Sequence, residues 1–261
     1  MNRIDKKFRE LRNKKKKAFI VYLTVGYPDI STTEKLVMEL NKIGVDLFEL
    51  GMPFSDPLAD GPVIQEASTF ALKHKINLES VFSLTQRLRK RINAPLVTMG
   101  YFNPILNYGI DRFAKNAKIS GLDGAIVPDL PIEESTELRK SLNKNNLYLI
   151  DFITPTTDLT RIKRISKLSK GFIYYISLTG VTGARDSLPK ETTKRLNYLK
   201  KFIRIPICVG FGLSKRSQFK AVSRLCDGSI VGSAVIKKIK QNIGRKDLVC
   251  KVANFTRNLI P

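Results

Sequence analysis

Glu49 and Asp60, two carboxylates eleven residues apart, are the side chains best placed to do chemistry in this 261-residue chain. Both lie in "FELGMPFSDPLADGP", residues 48–62, which opens as an apolar strand and becomes a loop rich in Pro and Gly. A carboxylate closing a buried strand is partly desolvated, which raises its pKa toward the range useful for proton transfer. On that reading Glu49 is a fixed acid/base. Asp60, between Ala and Gly on the loop, can swing onto a substrate N–H or a developing cation. The plainer alternatives are a structural Glu satisfied by nearby hydroxyls and an Asx-turn before Gly61. Other chemistries have less to work with. His74 is the only histidine and sits in the helical stretch "EASTFALKHK". No strand-like run ends in Lys, which disfavours Schiff-base chemistry. Cys208, Cys226 and Cys250 are widely spaced with no C-x-x-C pair. Neither a metal site nor a disulfide framework is expected, and an odd cysteine count fits a reducing cytoplasm.

These acids need elements to hold them. Eight short apolar runs alternate with longer charged segments, at 19–24, 47–51, 95–101, 124–129, 147–153, 172–177, 206–211 and 228–233. Continuous apolar runs mark strands buried on both faces. The intervening segments fit helices. In "STTEKLVMELNKIG", Leu36, Leu40 and Ile43 share a face, Ser31 or Thr32 caps the start and Gly44 ends it. "IEESTELRKSLNKN" and "DLTRIKRISKLSKG" read the same way. Eight such units predict an α/β chain folded as one (β/α)8 TIM barrel over 1–261, with an extra N-terminal helix. No G-x-G-x-x-G follows a strand, so a doubly wound dinucleotide fold is disfavoured. Ile4, Phe8 and Leu11 form a narrow stripe, as for a helix packed across the barrel bottom rather than a membrane-surface helix.

Active sites of such barrels lie at the C-terminal ends of the strands. There the sequence places "GVTGA", "GFG" and "GSA" after strands six, seven and eight. Glycine lets backbone N–H groups approach an anion, and "GSAVIKKI" starts a helix, with Ser233 as its cap and a first turn that favours negative charge. Each turn alone reads as an ordinary helix entry; three at successive strand ends favour a phosphate site.

Lys and Arg number 46 against 23 acids, a formal net charge of +23. The cations recur in nearly every helical segment, and only "NKKKKA" near residue 15 is a dense block, with no aromatics interleaved. The charge therefore reads as solvated helix faces, and no nucleic-acid or membrane partner is expected. "AFIVYL" is too short for a signal-peptide core or a membrane span.

In order along the chain, "FELGMPFSDPLADGPVIQ", "YFNP", "PDLPIEES", "YYISLTGVTGA", "GFGLS" and "VGSAVIKKI" resemble the tryptophan synthase alpha-subunit family over roughly residues 8–255. The first motif is highly specific, whereas the glycine turns alone are weak. The resemblance implies a lyase of tryptophan biosynthesis that cleaves indole-3-glycerol phosphate, by a retro-aldol reaction and without a cofactor, to indole and glyceraldehyde 3-phosphate. It implies that Glu49 protonates the indole ring at C3 and helps remove the glycerol hydroxyl proton. Asp60 would hold the indole N–H as positive charge builds on the ring. Tyr22 and Tyr101 fall at indole-pocket positions and Tyr174 near the reacting chain. Thr182 matches a loop threonine that pairs with the Asp60 position on closure. Gly183, Gly212, Gly232 and Ser233 match phosphate positions, with Phe211 beside them in the substrate-binding set. The family works as an α2β2 complex in the cytoplasm with a beta subunit that holds pyridoxal phosphate. The matching docking surface would include Asp56, Pro57, Asn103 and Pro131.

This chain departs from the pattern in three respects. Tyr22 stands where many members have Phe, Leu178 replaces an Arg common before "TGVTG", and the high basicity is not a family trait. The nearest rival barrel, indole-glycerol-phosphate synthase, calls for a strand-end Lys that is absent. A barrel serving only as a basic binding module would not need both acids.

Overall fold

The computed structural model describes residues 1–176, 190–210 and 212–260. Within them the eight apolar runs become β1 (Ala18–Thr24), β2 (Leu47–Gly51), β3 (Leu96–Met99), β4 (Gly124–Ile126), β5 (Tyr148–Ile153), β6 (Ile173–Ile176), β7 (Ile207–Gly210) and β8 (Gly228–Val231). Each pairs in parallel with the next, and β8 returns to β1 to close the barrel. The expected (β/α)8 fold is the one observed. β3 and β4 are shorter than their apolar runs. Beyond β4, Pro128 has no N–H to give to a ladder, and the chain turns away.

The described helices are α1 (Arg3–Asn13), α2 (Ile30–Lys42), α3 (Pro62–Lys73), α4 (Leu78–Arg89), α5 (Phe102–Tyr108) and α6 (Ile110–Ser120). They continue as α7 (Thr136–Lys144), α8 (Leu159–Leu168), α9 (Lys190–Leu199), α10 (Arg216–Ser223), α11 (Ser233–Lys240) and α12 (Leu248–Leu259). α1 closes the N-terminal end of the barrel. Its stripe of Ile4, Phe8 and Leu11 is buried in one cluster with Ala18, Leu47, Phe172 and Cys208. That is the packing its narrow stripe predicts. The helical stretch around "EASTFALKHK" is α3, while α4 and α5 are additional helices in the β2–β3 and β3–β4 crossovers, which the eight-unit reading does not resolve.

Two helix starts differ from the sequence reading. Asp29, not Ser31 or Thr32, caps α2, its carboxylate accepting the Thr32 N–H at 2.7 Å. The cap must be extended, and only Asp29 precedes the first helical residue. α7 starts four residues into "IEESTELRKSLNKN". There the Ser135 hydroxyl donates to the Ile132 carbonyl, and the Glu133 carboxylate accepts from Arg161.

Strand alternation decides what faces the substrate. Along β2, Leu47 joins the cluster inside the barrel, while Phe48 and Leu50 join the one under the helices. A period of two therefore turns Glu49 inward. Phase is fixed at the other end by loop acids that accept strand N–H groups. Asp46 accepts from Phe19 at 3.0 Å, Asp123 from Leu96 at 2.9 Å and Asp227 from Ile207 at 3.1 Å.

Candidate active site

At the C-terminal ends of the strands lies a cavity of about 470 Å³, whose walls include Tyr22, Glu49, Asp60, Tyr174, Gly212 and Ser233. Side chains from β1, β2 and β6 meet there with the loops after β2, β7 and β8. A smaller cavity of about 300 Å³ between the loops after β4 and β5 shares only Phe152 with it.

Glu49 is wholly buried, at 0% exposure, and neither carboxyl oxygen has a hydrogen-bond partner among the described residues. Desolvation alone pushes its pKa up to about 8. At neutral pH the group is therefore mostly a neutral acid that holds a proton it can give. The expectation of a partly desolvated carboxyl holds, and the alternative of a Glu satisfied by hydroxyls finds no partner here.

Asp60 is half-buried, and its environment is different. The Tyr101 hydroxyl donates to its Oδ2 at 3.1 Å and accepts the Ala59 N–H at 3.0 Å, tying the loop to the start of α5. The Tyr101 ring stacks on Phe54 at 5.1 Å. Burial raises the Asp60 pKa to about 6, opposed by the Tyr101 bond. The loop's turn is made by backbone, with the Asp60 N–H bonded to the Pro57 carbonyl at 3.0 Å. Its carboxylate is thus free of an Asx-turn and stays ionised above about pH 6.

The phenols fill the remaining wall. Tyr22 lies across Gly51, where an added Cβ would sit 2.1 Å from the phenol oxygen, so the strand end after Glu49 must be glycine. The Thr24 hydroxyl donates to Tyr22 at 3.4 Å. Tyr174 packs on Gly210 in the same manner, with Phe152 at 5.0 Å between ring centroids. Burial and then the neighbouring Glu49 raise the pKa of the Tyr174 phenol well above its usual value.

Gly212 and Gly232 line the same cavity with Ser233. Gly212 has φ +65°, a left-handed conformation suited to glycine. Ser233 is the first residue of α11, not its cap; Gly232 holds the cap position, and no side chain bonds the first turn. The Val235 N–H turns back to the Gly232 carbonyl at 2.9 Å, and the N–H groups of Ser233 and Ala234 remain for the anion-binding role expected of this turn, although the capping role of Ser233 does not hold. Thr182, Gly183, Phe211 and Leu178 lie outside the described residues.

The residues expected to dock a partner stand apart from the cavity walls. Asp56, Asn103 and Pro131 are exposed and Pro57 is half-buried. Beside them the sequence reading misses Leu58, 93% exposed on the Asp60 loop, and Leu106, 52% exposed on α5. A large apolar residue among Pro and Asp in a loop was the available signal. Met99 and Phe152 in the cavity wall were also missed; strand alternation from Val97 and Ile150 points to them. His74 sits exposed just past the end of α3, its Nδ1 3.0 Å from the Phe70 carbonyl. No three His, Cys, Asp or Glu side chains gather as a metal site among the described residues.

A family model described as tryptophan synthase alpha chain matches residues 8–259. The chain belongs to the tryptophan synthase alpha chain family. It is 41% identical to the tryptophan synthase alpha chain of Geotalea daltonii over 259 residues, which is 99% of this chain and 98% of that one. Against the corresponding protein of Citrifermentans bemidjiense it is 44% identical over 244 residues, 94% and 91% of the two chains. The crystal structure of tryptophan synthase subunit alpha from Legionella pneumophila str. Paris matches with a TM-score of 0.93 at 36% identity, covering 99% and 97%. Members of the tryptophan synthase alpha chain family cleave indole-3-glycerol phosphate to indole and glyceraldehyde 3-phosphate in tryptophan biosynthesis, and this chain is a lyase of that kind.

Proposed function

We propose that Glu49 and Asp60 divide the cleavage of indole-3-glycerol phosphate between them, on a chain acting as a single barrel domain. The carrying observation is that Glu49 is a fully buried, unpartnered carboxyl on the wall of a cavity that Asp60 also lines. Neutral Glu49 gives its proton to C3 of the indole ring. Positive charge then builds on the ring nitrogen, and ionised Asp60 accepts the indole N–H and offsets that charge. The Glu49 carboxylate next takes the proton of the hydroxyl on the side-chain carbon bonded to C3. The carbon–carbon bond breaks, its electrons return to the ring as indole, and the former alcohol leaves as the aldehyde of glyceraldehyde 3-phosphate.

Tyr22 and Tyr101 frame the indole and Tyr174 the reacting chain. Gly212, Gly232 and Ser233 receive the phosphate at the start of α11. Thr182, Gly183 and Phe211 join this set through the family motifs alone. The chemistry needs only proton transfer and charge stabilisation, so the chain would bring no cofactor of its own. A beta subunit is the partner that family membership implies. We assign its docking in an α2β2 complex to the rim of Asp56, Pro57, Asn103 and Pro131, where Leu58 supplies an apolar anchor. The beta subunit would hold pyridoxal phosphate, and the complex would work in the cytoplasm. Among the described residues no helix is long and apolar enough to cross a membrane. The test is indole release by purified Glu49→Gln and Asp60→Asn chains. Both should lose turnover while keeping wild-type far-UV circular dichroism; wild-type rates in either variant would remove that residue from the mechanism.

A further inference from the structure

Cations outnumber acids 46 to 23 in this chain. At the N-terminal end, opposite the active site, the acids are used internally. Asp123 is 3% exposed and takes the Leu96 N–H and the Arg89 guanidinium, Asp227 takes the Ile207 N–H, and Asp46 takes the Phe19 N–H. Arg3, Lys7, Lys17 and Arg89 pair with these acids, and further cations nearby are left in solvent. Between the end of α1 and the loops entering β7 and β8 is a cleft of about 220 Å³, floored by Phe8, Leu11 and Pro206 and rimmed by Arg12, Lys15, Lys16 and Lys17. Among the described residues only Lys17 of these four has an ion-pair partner, Asp227 at 3.4 Å. On the loop that leads through Pro206 into β7, Lys200, Lys201 and Arg204 are also exposed and form no ion pair among the described residues. α1 has its apolar face inside the barrel and so cannot insert into a bilayer. The cleft rim is cationic, with no exposed apolar anchor of the kind a protein partner would need.

Against the sequence expectation of no nucleic-acid partner, we propose that this end of the barrel is a binding surface for the phosphodiester backbone of nucleic acid, centred on Arg12, Lys15 and Lys16 and extended by Lys200, Lys201 and Arg204. The contact is electrostatic and sequence-independent, because the surface offers charges and no exposed aromatic platform. It stands apart from the catalytic cavity and leaves the lyase reaction untouched.

The test is fluorescence anisotropy of the full chain with a short labelled DNA duplex and a single-stranded RNA of equal length, across a range of KCl. Six phosphate contacts give a slope of log K against log salt of about −5 on duplex DNA. Changing Arg12, Lys15 and Lys16 together to Glu should weaken binding more than tenfold and flatten the slope by about 3. The same charge change at Lys35, Lys73 and Lys75, away from the cleft, should weaken it less than about threefold. Turnover and circular dichroism of both triple variants should match the wild type, which shows that they are folded. Three results would overturn the proposal: no measurable binding to either polymer at low salt, equal losses in the two triple variants, or tighter capture by phosphatidylserine vesicles than by DNA at matched salt.

Discussion

Replacing Glu49 by Gln should stabilise the fold, by an amount that grows with pH. Burial without a hydrogen-bond partner holds the carboxyl at about 8, where an exposed Glu titrates near 4.5. The folded chain therefore binds this proton more tightly than the unfolded chain. Between those two values the folded state carries the proton and the unfolded state has lost it, so stability falls as pH rises. Below the lower value both states are protonated and the penalty vanishes; above the higher value it is complete. At 1.36 kcal/mol per pKa unit the full penalty is about 5 kcal/mol, and at about pH 5.5 only about 1 kcal/mol of it is felt. Gln does not titrate, so the stability gap between variant and wild type should widen by about 3 kcal/mol from about pH 5.5 to about pH 9. In a chain of this size that is roughly 6–12 °C in Tm. Thermal unfolding followed by circular dichroism, on both proteins at both pH values, reads it directly. A Tm gap that stays constant with pH would mean that Glu49 is not a buried neutral acid, and the reasoning from its burial to its proton would fail. The penalty is the stability cost of keeping a proton donor at neutral pH in this site.

Tyr101→Phe removes the hydroxyl that donates to Asp60 at 3.1 Å and lowers its pKa. Losing a bond to a charged group should cut kcat/KM about tenfold and move its acid limb up by about one pH unit; an unmoved acid limb would show that Tyr101 does not support the ionised carboxylate. Leu58→Asp puts a charge at the most exposed apolar side chain. If that side chain anchors the beta subunit, titration calorimetry should show affinity falling by at least about tenfold, and unchanged affinity would move the docking surface elsewhere.

The barrel was legible because both-face burial writes itself as continuous apolar runs; seven of the eight runs contain their strand, and β1 starts one residue before its run, at Ala18. Helix starts were less so. Capping at Asp29 is a local bond to Thr32, and choosing it over Ser31 or Thr32 needs the extended backbone before the helix, whereas the late start of α7 at Thr136 goes with a side-chain bond between loops, which spacing along the chain does not record. α4 and α5 escaped for a related reason: short helices inside a crossover leave no break in the βα rhythm. Within the site, Glu49 and Asp60 were legible from a strand end and a Pro- and Gly-bounded loop. Their difference was not, since it comes from long-range contacts. One acid is buried with no hydrogen-bond partner among the described residues, and the other meets Tyr101 from forty-one residues away. Phe152 carries no motif and emerges only when strand alternation is known, and Leu58 lies inside the 48–65 motif, which does not record its exposure.

The central claim is that a protonated Glu49 and an ionised Asp60 act together. The pH dependence of kcat/KM for indole release tests it most directly, because it reports the ionisations of the free enzyme. Asp60 must have lost its proton, so activity should rise through about pH 6, and Glu49 must still hold its own, so activity should fall through about pH 8. A bell with those two limbs is the result this account predicts. A single limb at ordinary carboxylate pH followed by a plateau beyond pH 9 would contradict it, because Glu49 would then be working as an ionised group with no proton to give.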